Sequence, residues 1–376
     1  MRVLIVVNGF FPGLKYGGPP VSIENLCTLL SKDYEFYILT RNHDYKDEKP
    51  YDGIATNVWI NKGRFFVKYL EDKDFVSHSF KREIEEIRPQ VLYLQSIFEA
   101  CVLPCLNIAK KRRIKVIIPP RGELGEKALS INTLKKQVYL QLLRHSGLLK
   151  QVAFQASSND ERNDIIRNLR IPNEKIFVVP NVPSLPNNSC VHNKKEKGSV
   201  KLFYYARIHP IKNLLFALNC LSECTGNIEY DIYGPIEDQE YWAQCSAAIT
   251  NLPPNIRVRY AGLLSHNDTF RVICGYDALF LPTYGENFGQ SIAEALVAGC
   301  LVLISDRTPW TDVSTTKESW ALSLSDEVSF KIALKELVDM DDCRITSARE
   351  KTRTYFQNKV NLAVIRKMYI EMLAAI

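Results

Sequence analysis

Two glutamates, Glu286 and Glu294, stand in a Glu-x7-Glu spacing within Thr-Tyr-Gly-Glu-Asn-Phe-Gly-Gln-Ser-Ile-Ala-Glu-Ala-Leu-Val-Ala-Gly, residues 283–299. An apolar run at 278–281 precedes the segment, and the spacing predicts a helix over 289–298. The free N–H groups and positive dipole end of such a helix face whatever lies beyond the strand tip. A carboxylate in the loop, Glu286, can accept hydrogen bonds from sugar hydroxyls. A second carboxylate on the helix, Glu294, can hold the two hydroxyls of a ribose. The plain alternative is a capping loop with surface glutamates, and the strand–loop–helix context weighs against it.

A second constellation is Tyr205-Ala206-Arg207-Ile208-His209-Pro210-Ile211-Lys212-Asn213, again between an apolar run and a helical pattern. Arg207 and Lys212 can clamp a diphosphate together and neutralise charge that develops on it. His209 lies in the same loop and can touch phosphate or simply be solvated. Near the start, paired glycines, Gly17 and Gly18, let backbone approach a ligand closely. No G-x-G-x-x-G dinucleotide fingerprint accompanies them. At 119–124, Pro-Pro-Arg-Gly-Glu-Leu places Arg121 and Glu123 at the end of an expected strand. They can face a ligand, or form a structural turn with an exposed ion pair. The six histidines are scattered, and no nucleophile–base–orienter set and no Asp-x-Asp metal motif is assigned.

These residues need elements to hold them. Apolar strand runs at 3–7, 35–40, 91–95, 115–119, 152–156 and 176–179 alternate with helical patterns at 21–32, 78–88, 98–111, 133–149 and 158–169. That alternation implies α/β architecture with a doubly wound parallel sheet. Residues 186–199, rich in Pro, Asn, Ser and Lys, break the pattern and read as a linker. Alternation then restarts, with strands at 201–206, 229–233, 256–260, 278–281 and 301–305. Two Rossmann-like domains are therefore expected, 1–185 and 200–356, facing a cleft at the carboxyl ends of their strands. In the helical tail, Val360, Val364, Met368 and Met372 recur every four residues. That stripe must be buried, and a helix at about 357–376 can pack back on the first domain.

With this frame the sequence resembles the retaining family 4 glycosyltransferases, which have the GT-B fold. The resemblance spans nearly the whole chain and is stronger in the second domain. It implies that Glu286 lies near a transferred hexose, and that the backbone of Asn287, Phe288 and Gly289 contacts hexose hydroxyls or phosphate. It implies that Glu294 binds ribose, that Arg207 and Lys212 stabilise the departing nucleotide diphosphate, and that Gly17 and Gly18 lie near the donor phosphates. The Pro-Arg-Gly segment, and Thr308-Pro309-Trp310 with Asp312, resemble the subgroup that makes bacterial surface polysaccharide, O-antigen or capsule. By that likeness Arg121 and Glu123 are acceptor-side candidates, while Trp310 also fits plain packing.

The resemblance implies a nucleotide-sugar donor, UDP-sugar favoured, a saccharide or lipid-diphosphate-linked acceptor, no metal or other cofactor, and no nucleic-acid partner. Retaining glycosidases use two carboxylates about 5 Å apart. A helical Glu-x7-Glu sets its pair roughly 10 Å apart, which favours front-face attack beside the leaving diphosphate over a covalent intermediate. A nucleotide-sugar-binding protein without turnover, or a GT-B epimerase, would share much of this pattern.

Composition agrees with two globular domains: 376 residues, 46% apolar and 24% charged, are sufficient for two packed cores. The apolar run after Met1 and Arg2 leads into Gly-Phe-Phe-Pro without a small-residue cleavage site, so it reads as a buried strand and not a secretory leader. No apolar run reaches the ~18–20 residues of a membrane span. The ten cysteines are scattered in apolar segments and are expected to be reduced, in a cytoplasmic setting. Residues 1–180 hold 28 basic against 20 acidic side chains, a net +8, whereas 181–376 hold 20 against 22, a net −2. The basic, aromatic segments 62–69 and 135–149 can dock peripherally on an anionic inner-membrane surface, or be an ordinary solvated face and an amphipathic core helix.

Overall fold

Continuous apolar runs become strands buried on both faces, as parallel sheets require. The computed structural model describes residues 1–130, 133–186 and 190–376. It falls into two units, Met1–Val182 with Leu362–Ile376, and Pro183–Asn361.

In the first unit the elements run β1 (Arg2–Val6), α1 (Gly18–Leu30), β2 (Glu35–Arg41), β3 (Trp59–Asn61), β4 (Phe66–Leu70), α2 (Ser77–Ile87), β5 (Val91–Leu94) and α3 (Val102–Arg112). There follow β6 (Lys115–Ile118), α4 (Glu126–Ser130), α5 (Thr133–His145), β7 (Val152–Ala156), α6 (Asn159–Leu169) and β8 (Ile176–Val178). The sheet order is β3-β4-β2-β1-β5-β6-β7-β8, parallel except for the β3–β4 pair. The chain builds outward from β1 in one direction, then returns to β5 and builds the other way. The β1–β5 boundary is therefore the topological switch point, where ligands of such sheets bind.

Helix ends follow local chemistry. α2 stops at Arg88, in the left-handed conformation, whose N–H bonds Ile84 O ahead of Pro89. α6 is capped by Ser158, whose side chain accepts from Glu161 N.

The second unit runs β9 (Ser199–Tyr205), α7 (Leu214–Leu221), β10 (Asn227–Tyr233), α8 (Gln239–Thr250), β11 (Ile256–Gly262), α9 (Thr269–Ile273), β12 (Ala278–Leu281) and α10 (Gln290–Ala298). Then come β13 (Leu301–Ser305), β14 (Trp320–Leu322), α11 (Glu327–Asp339) and α12 (Asp342–Lys359). The order β11-β10-β9-β12-β13-β14, with every pairing parallel, puts the switch point between β9 and β12.

Several expectations change. Of residues 62–69, only 62–64 are exposed, and the rest do not form a surface patch. Phe66–Leu70 is strand β4, with Phe65, Val67, Tyr69 and Leu70 buried. Lys68 is buried there because its Nζ bonds both oxygens of the fully buried Glu83, at 2.8 and 2.9 Å. The tail helix α13 (Leu362–Ala375) belongs to the first unit but buries only Met372 of the four-residue stripe, Val364 being exposed. It buries Ile365, Tyr369, Met372 and Leu373, and the Tyr369 hydroxyl accepts from Gln155 Nε2 at 2.9 Å.

Of the stretch 186–199, residues 187–189 lie outside the described residues. The rest packs on the second unit: His192 Nε2 lies 2.9 Å from Ala298 O, and Lys195 N donates to Asp342 Oδ1 at 2.8 Å. That packing brings Cys190 within 5.6 Å (Cα to Cα) of Cys274, and the two form a disulfide across 84 residues, against the expectation of reduced thiols. The other eight cysteines are free.

Candidate functional site

The loops after β9 and β12, at the second unit's switch point, are stitched to each other by short bonds. Asn213 Nδ2 donates to Pro282 O at 3.0 Å, Thr283 Oγ1 to Ile211 O at 3.0 Å, and Tyr284 N to Ile211 O at 2.8 Å. Asn213 turns the first loop in the left-handed region (φ 58°), a conformation asparagine tolerates. His209 helps to shape the same loop, its Nδ1 accepting from Ile211 N at 3.2 Å. Glu286 N is tied to Arg307 O at 3.1 Å. The consequence is a contact between residues 74 apart in sequence, Lys212 Nζ to Glu286 Oε1 at 2.6 Å, with side chains only 13% and 12% exposed.

Beyond Glu286 the loop carries Asn287 and Phe288 into Gly289, which caps α10 at φ 76° with no side-chain cap bond. A Cβ at 289 would lie 3.1 Å from Ile292 Cδ1 and 3.3 Å from Trp310 Nε1, in addition to the left-handed strain. Trp310, 2% exposed, donates Nε1–H to Phe288 O at 2.6 Å and meets the Phe288 ring edge-on at 5.8 Å. It is therefore a packing residue that also fixes this loop. The helix start presents N–H groups and positive dipole beside Lys212 and Glu286, an arrangement suited to an anion bearing a hydroxylated group.

Glu294 sits inside the unit at 1% exposure, with Oε1 accepting from Ser184 Oγ at 2.9 Å and Gln290 Nε2 at 3.2 Å. Burial pushes its carboxyl up to about 7, and those two hydrogen bonds oppose the rise. Only the second half of the 286–294 spacing is helical, since α10 begins at Gln290. The two carboxylates serve different partners. Arg207 does not share Lys212's partner; its Nη1 pairs with Glu237 Oε2 at 2.5 Å, with the Arg207 side chain 40% exposed. Glu237 and Ser184 were missed by sequence reasoning, because neither stands in a motif. The Gln290–Glu294 bond follows from ordinary i, i+4 helix spacing and was open to inference.

In the first unit, Gly17 (φ 71°) precedes α1, which opens Gly18-Pro19-Pro20. Prolines are tolerated there because first-turn N–H groups have no helical partner. Asp44 holds the approach to this turn, with Oδ2 accepting from Leu14 N at 2.8 Å and Oδ1 from Lys15 N at 3.2 Å.

Arg121 and Glu123 do not pair with one another. Arg121, left-handed at φ 54°, donates Nε–H and Nη2–H to Gln95 Oε1 and Nη1–H to Asn181 Oδ1 at 3.1 Å. The Glu123 carboxylate accepts from Ser96 Oγ at 2.6 Å and from Ile97 N at 2.8 Å, a loop-building role. The spelling Asp72-Lys73-Asp74 is an Asp-x-Asp, but its carboxylates are committed to Arg41, His43 and Asn57. Among the described residues no group of three or more His, Cys, Asp or Glu is gathered as a metal site requires.

Residues 189–342, inside the second unit, match the family model described as glycosyl transferases group 1. No curated protein sequence matches the chain. Among solved structures the chain is similar to Anabaena HepE in complex with UDP-glucose, at 12% identity over 100% of both chains and a TM-score of 0.74. It is also similar to sucrose-phosphate synthase from Thermosynechococcus elongatus, at 13% identity over 100% of both chains and a TM-score of 0.71. A third likeness is to WaaG, a glycosyltransferase involved in lipopolysaccharide biosynthesis, at 10% identity over 98% of this chain and 99% of that one, with a TM-score of 0.68. The fold is that of the GT-B glycosyltransferases, with two parallel-sheet units, and the family match supports glycosyl transfer.

Proposed function

We propose that this chain is a retaining, metal-independent glycosyltransferase that moves a hexose or N-acetylhexosamine from a nucleotide-sugar, UDP-sugar favoured, onto a saccharide acceptor. The observation that carries the reading is the 2.6 Å Lys212–Glu286 pair beside the open start of α10, within the region matched by the family model. HepE was crystallised with UDP-glucose, which supports the donor class. In the proposed reaction the anomeric carbon's bond to the diphosphate oxygen breaks. The acceptor oxygen forms its bond on the same face, and its proton passes to the departing diphosphate. Lys212, with Arg207, stabilises the charge that develops there, and Glu286 orients the hexose hydroxyls. Glu294 holds the ribose, and Gly17 and Gly18 give backbone access to the phosphates.

Thermal stabilisation by a panel of UDP- and GDP-sugars, in the presence of EDTA, tests this. At least one UDP-sugar is expected to raise Tm by several degrees, as a ligand at about 100 Kd contributes ~2.7 kcal/mol, and transfer is expected to persist in the chelator. Loss of transfer restored only by Mg²⁺ or Mn²⁺ would overturn metal independence. Stabilisation without transfer or hydrolysis would favour a binding protein, and interconversion of the sugar-nucleotide without acceptor would favour an epimerase.

The acceptor in this reading is lipid-linked, in bacterial surface polysaccharide synthesis, and the enzyme is a cytoplasmic protein held peripherally at the inner membrane. WaaG's involvement in lipopolysaccharide biosynthesis is consistent with that setting. Support comes also from α5, where Leu134, Val138 and Leu142, four residues apart, are 79%, 58% and 67% exposed on one face. Lys135, Arg144 and His145 flank them, in the half of the chain that carries the positive charge. Among the described residues no helix is long and apolar enough to cross a membrane. Co-sedimentation should show salt-sensitive binding to phosphatidylglycerol vesicles, since each Lys or Arg near anionic lipid adds about 1 kcal/mol. Equal binding to neutral phosphatidylcholine vesicles, or none at all, would remove the electrostatic part.

A further inference from the structure

The first unit has a switch point of its own, between β1 and β5, and the polar groups there are incompletely partnered. Gln95 follows β5 and is 2% exposed. Its Oε1 must face the Arg121 guanidinium, because a flipped amide would turn N–H toward N–H. Its Nε2 is then left buried without a partner among the described residues. Asn8 follows β1, the neighbouring strand, and its Oδ1 is likewise buried and unpartnered. One is a donor and the other an acceptor, and a hydroxyl is the group that offers both functions.

Four residues after Gln95, in the same β5–α3 loop, stands Glu99, half-buried, whose carboxylate forms no hydrogen bond or ion pair with the described residues. A native fold rarely leaves such groups unmatched.

We infer that the β1–β5 switch point is a saccharide subsite in which Glu99, with Asn8 and Gln95, selects the acceptor by its neutral hydroxyls. This rests on the glycosyltransferase reading above and names the chemistry of its acceptor end. Charge decides against an anion next to Glu99. The Glu123 carboxylate already bears on it, while the opposing cation, Arg41, is paired with Asp72 and lies 4.6 Å over the Phe75 ring. The other titratable and charged groups among the described residues that interact here are Arg121, whose guanidinium is held on Gln95 Oε1, Tyr16 and Asp44 on the loops after β1 and β2, Cys101 at the start of α3, and Lys136 and Tyr139 of α5, which act on Glu123. A polyol satisfies the orphaned donor and acceptor and the carboxylate at once, whereas a phosphate would meet two carboxylates. The acceptor's reacting end is then a sugar hydroxyl, so an earlier sugar transfer must supply this enzyme's acceptor.

Burial, reinforced by Glu123 and opposed by Arg41, pushes the Glu99 carboxyl up to about 7. The ionised form is the stronger acceptor, so sugar affinity should rise as pH rises through 7. The probes are octyl glycosides of glucose, galactose, mannose and N-acetylglucosamine, measured by calorimetry, with inorganic phosphate as the anionic arm. At least one glycoside should bind the wild-type chain, with Glu99→Ala weakening it at least about tenfold, the scale of a charged hydrogen bond. Glu99→Gln should bind with a flat pH profile.

The UDP-sugar that best stabilises the wild type should stabilise Glu99→Ala equally, which shows the fold intact. Absence of glycoside binding, equal binding by Glu99→Ala, an unchanged pH profile in Glu99→Gln, or tighter binding of phosphate would each overturn the subsite. Loss of UDP-sugar stabilisation in the wild type would instead overturn the glycosyltransferase reading.

Discussion

Lys212→Ala should lower transfer about 10²–10³-fold, the loss seen when one preorganised charge-stabilising donor is removed from an active site. In the resting protein its ammonium is held by Glu286, so the cation is already ordered before any diphosphate arrives. Glu286→Gln keeps a hydrogen-bond acceptor for Lys212 but removes the charge proposed to orient the sugar hydroxyls, and a comparable loss is expected. Both are loop side chains whose removal opens no core cavity. Thermal melting should therefore show both variants folded. If both kept near-normal turnover, the site assignment would fall.

Glu294 should behave differently. Its loss should act on nucleotide affinity, and because burial raises its carboxyl from 4.5 to about 7, that affinity should climb as pH rises through 7. The same shift means that its contribution to stability is fully present below about 4.5 and is lost as pH rises through 7.

The largest stability effect is expected at Lys68. Lys68→Ala leaves the fully buried Glu83 carboxylate with only Arg82, which is 56% exposed, and breaking a buried pair from one side costs about 3–5 kcal/mol. For a unit of this size that is roughly 6–20 °C in the Tm of its transition. The nearby Trp59 ring, 5.6 Å from Nζ, also loses its cation. Combining Lys68→Met with Glu83→Leu removes both charges and keeps most of the volume, so most of the loss should be recovered. A single variant that melts within a degree or two of wild type, or a double variant as unstable as the single, would contradict this.

Lys68 also shows where the sequence was hard to read. The strand Phe66–Leu70 carries a lysine, and its partner comes from a helix fifteen residues on, so local composition suggested a surface. By contrast, β1, β5, β7, β12 and β13 were legible because burial on both faces leaves almost no polar residue in them. At the candidate site, Lys212, Glu286 and Glu294 were legible because they stand at strand–loop–helix transitions. Glu237 and Ser184 were not, because what marks them is a partner 30 and 110 residues away. Nothing in the local sequence sets Glu99 above Glu123, and only the bonds to Ser96 and Ile97 reveal that Glu123 is already occupied.

The return of the last helix to the first unit has a genetic consequence. A stop placed at residue 361 would spare every strand of both sheets, yet its damage would appear in the unit that lies earlier in the chain. Without α13, Gln155 loses the Tyr369 hydroxyl beside Tyr93 in the strands behind the first switch point, and Asp33 loses Arg366. Nascent chains would therefore carry an unfinished first-unit core until α13 had been made. Truncations or insertions that disturb α13 should then read out as defects of the first unit.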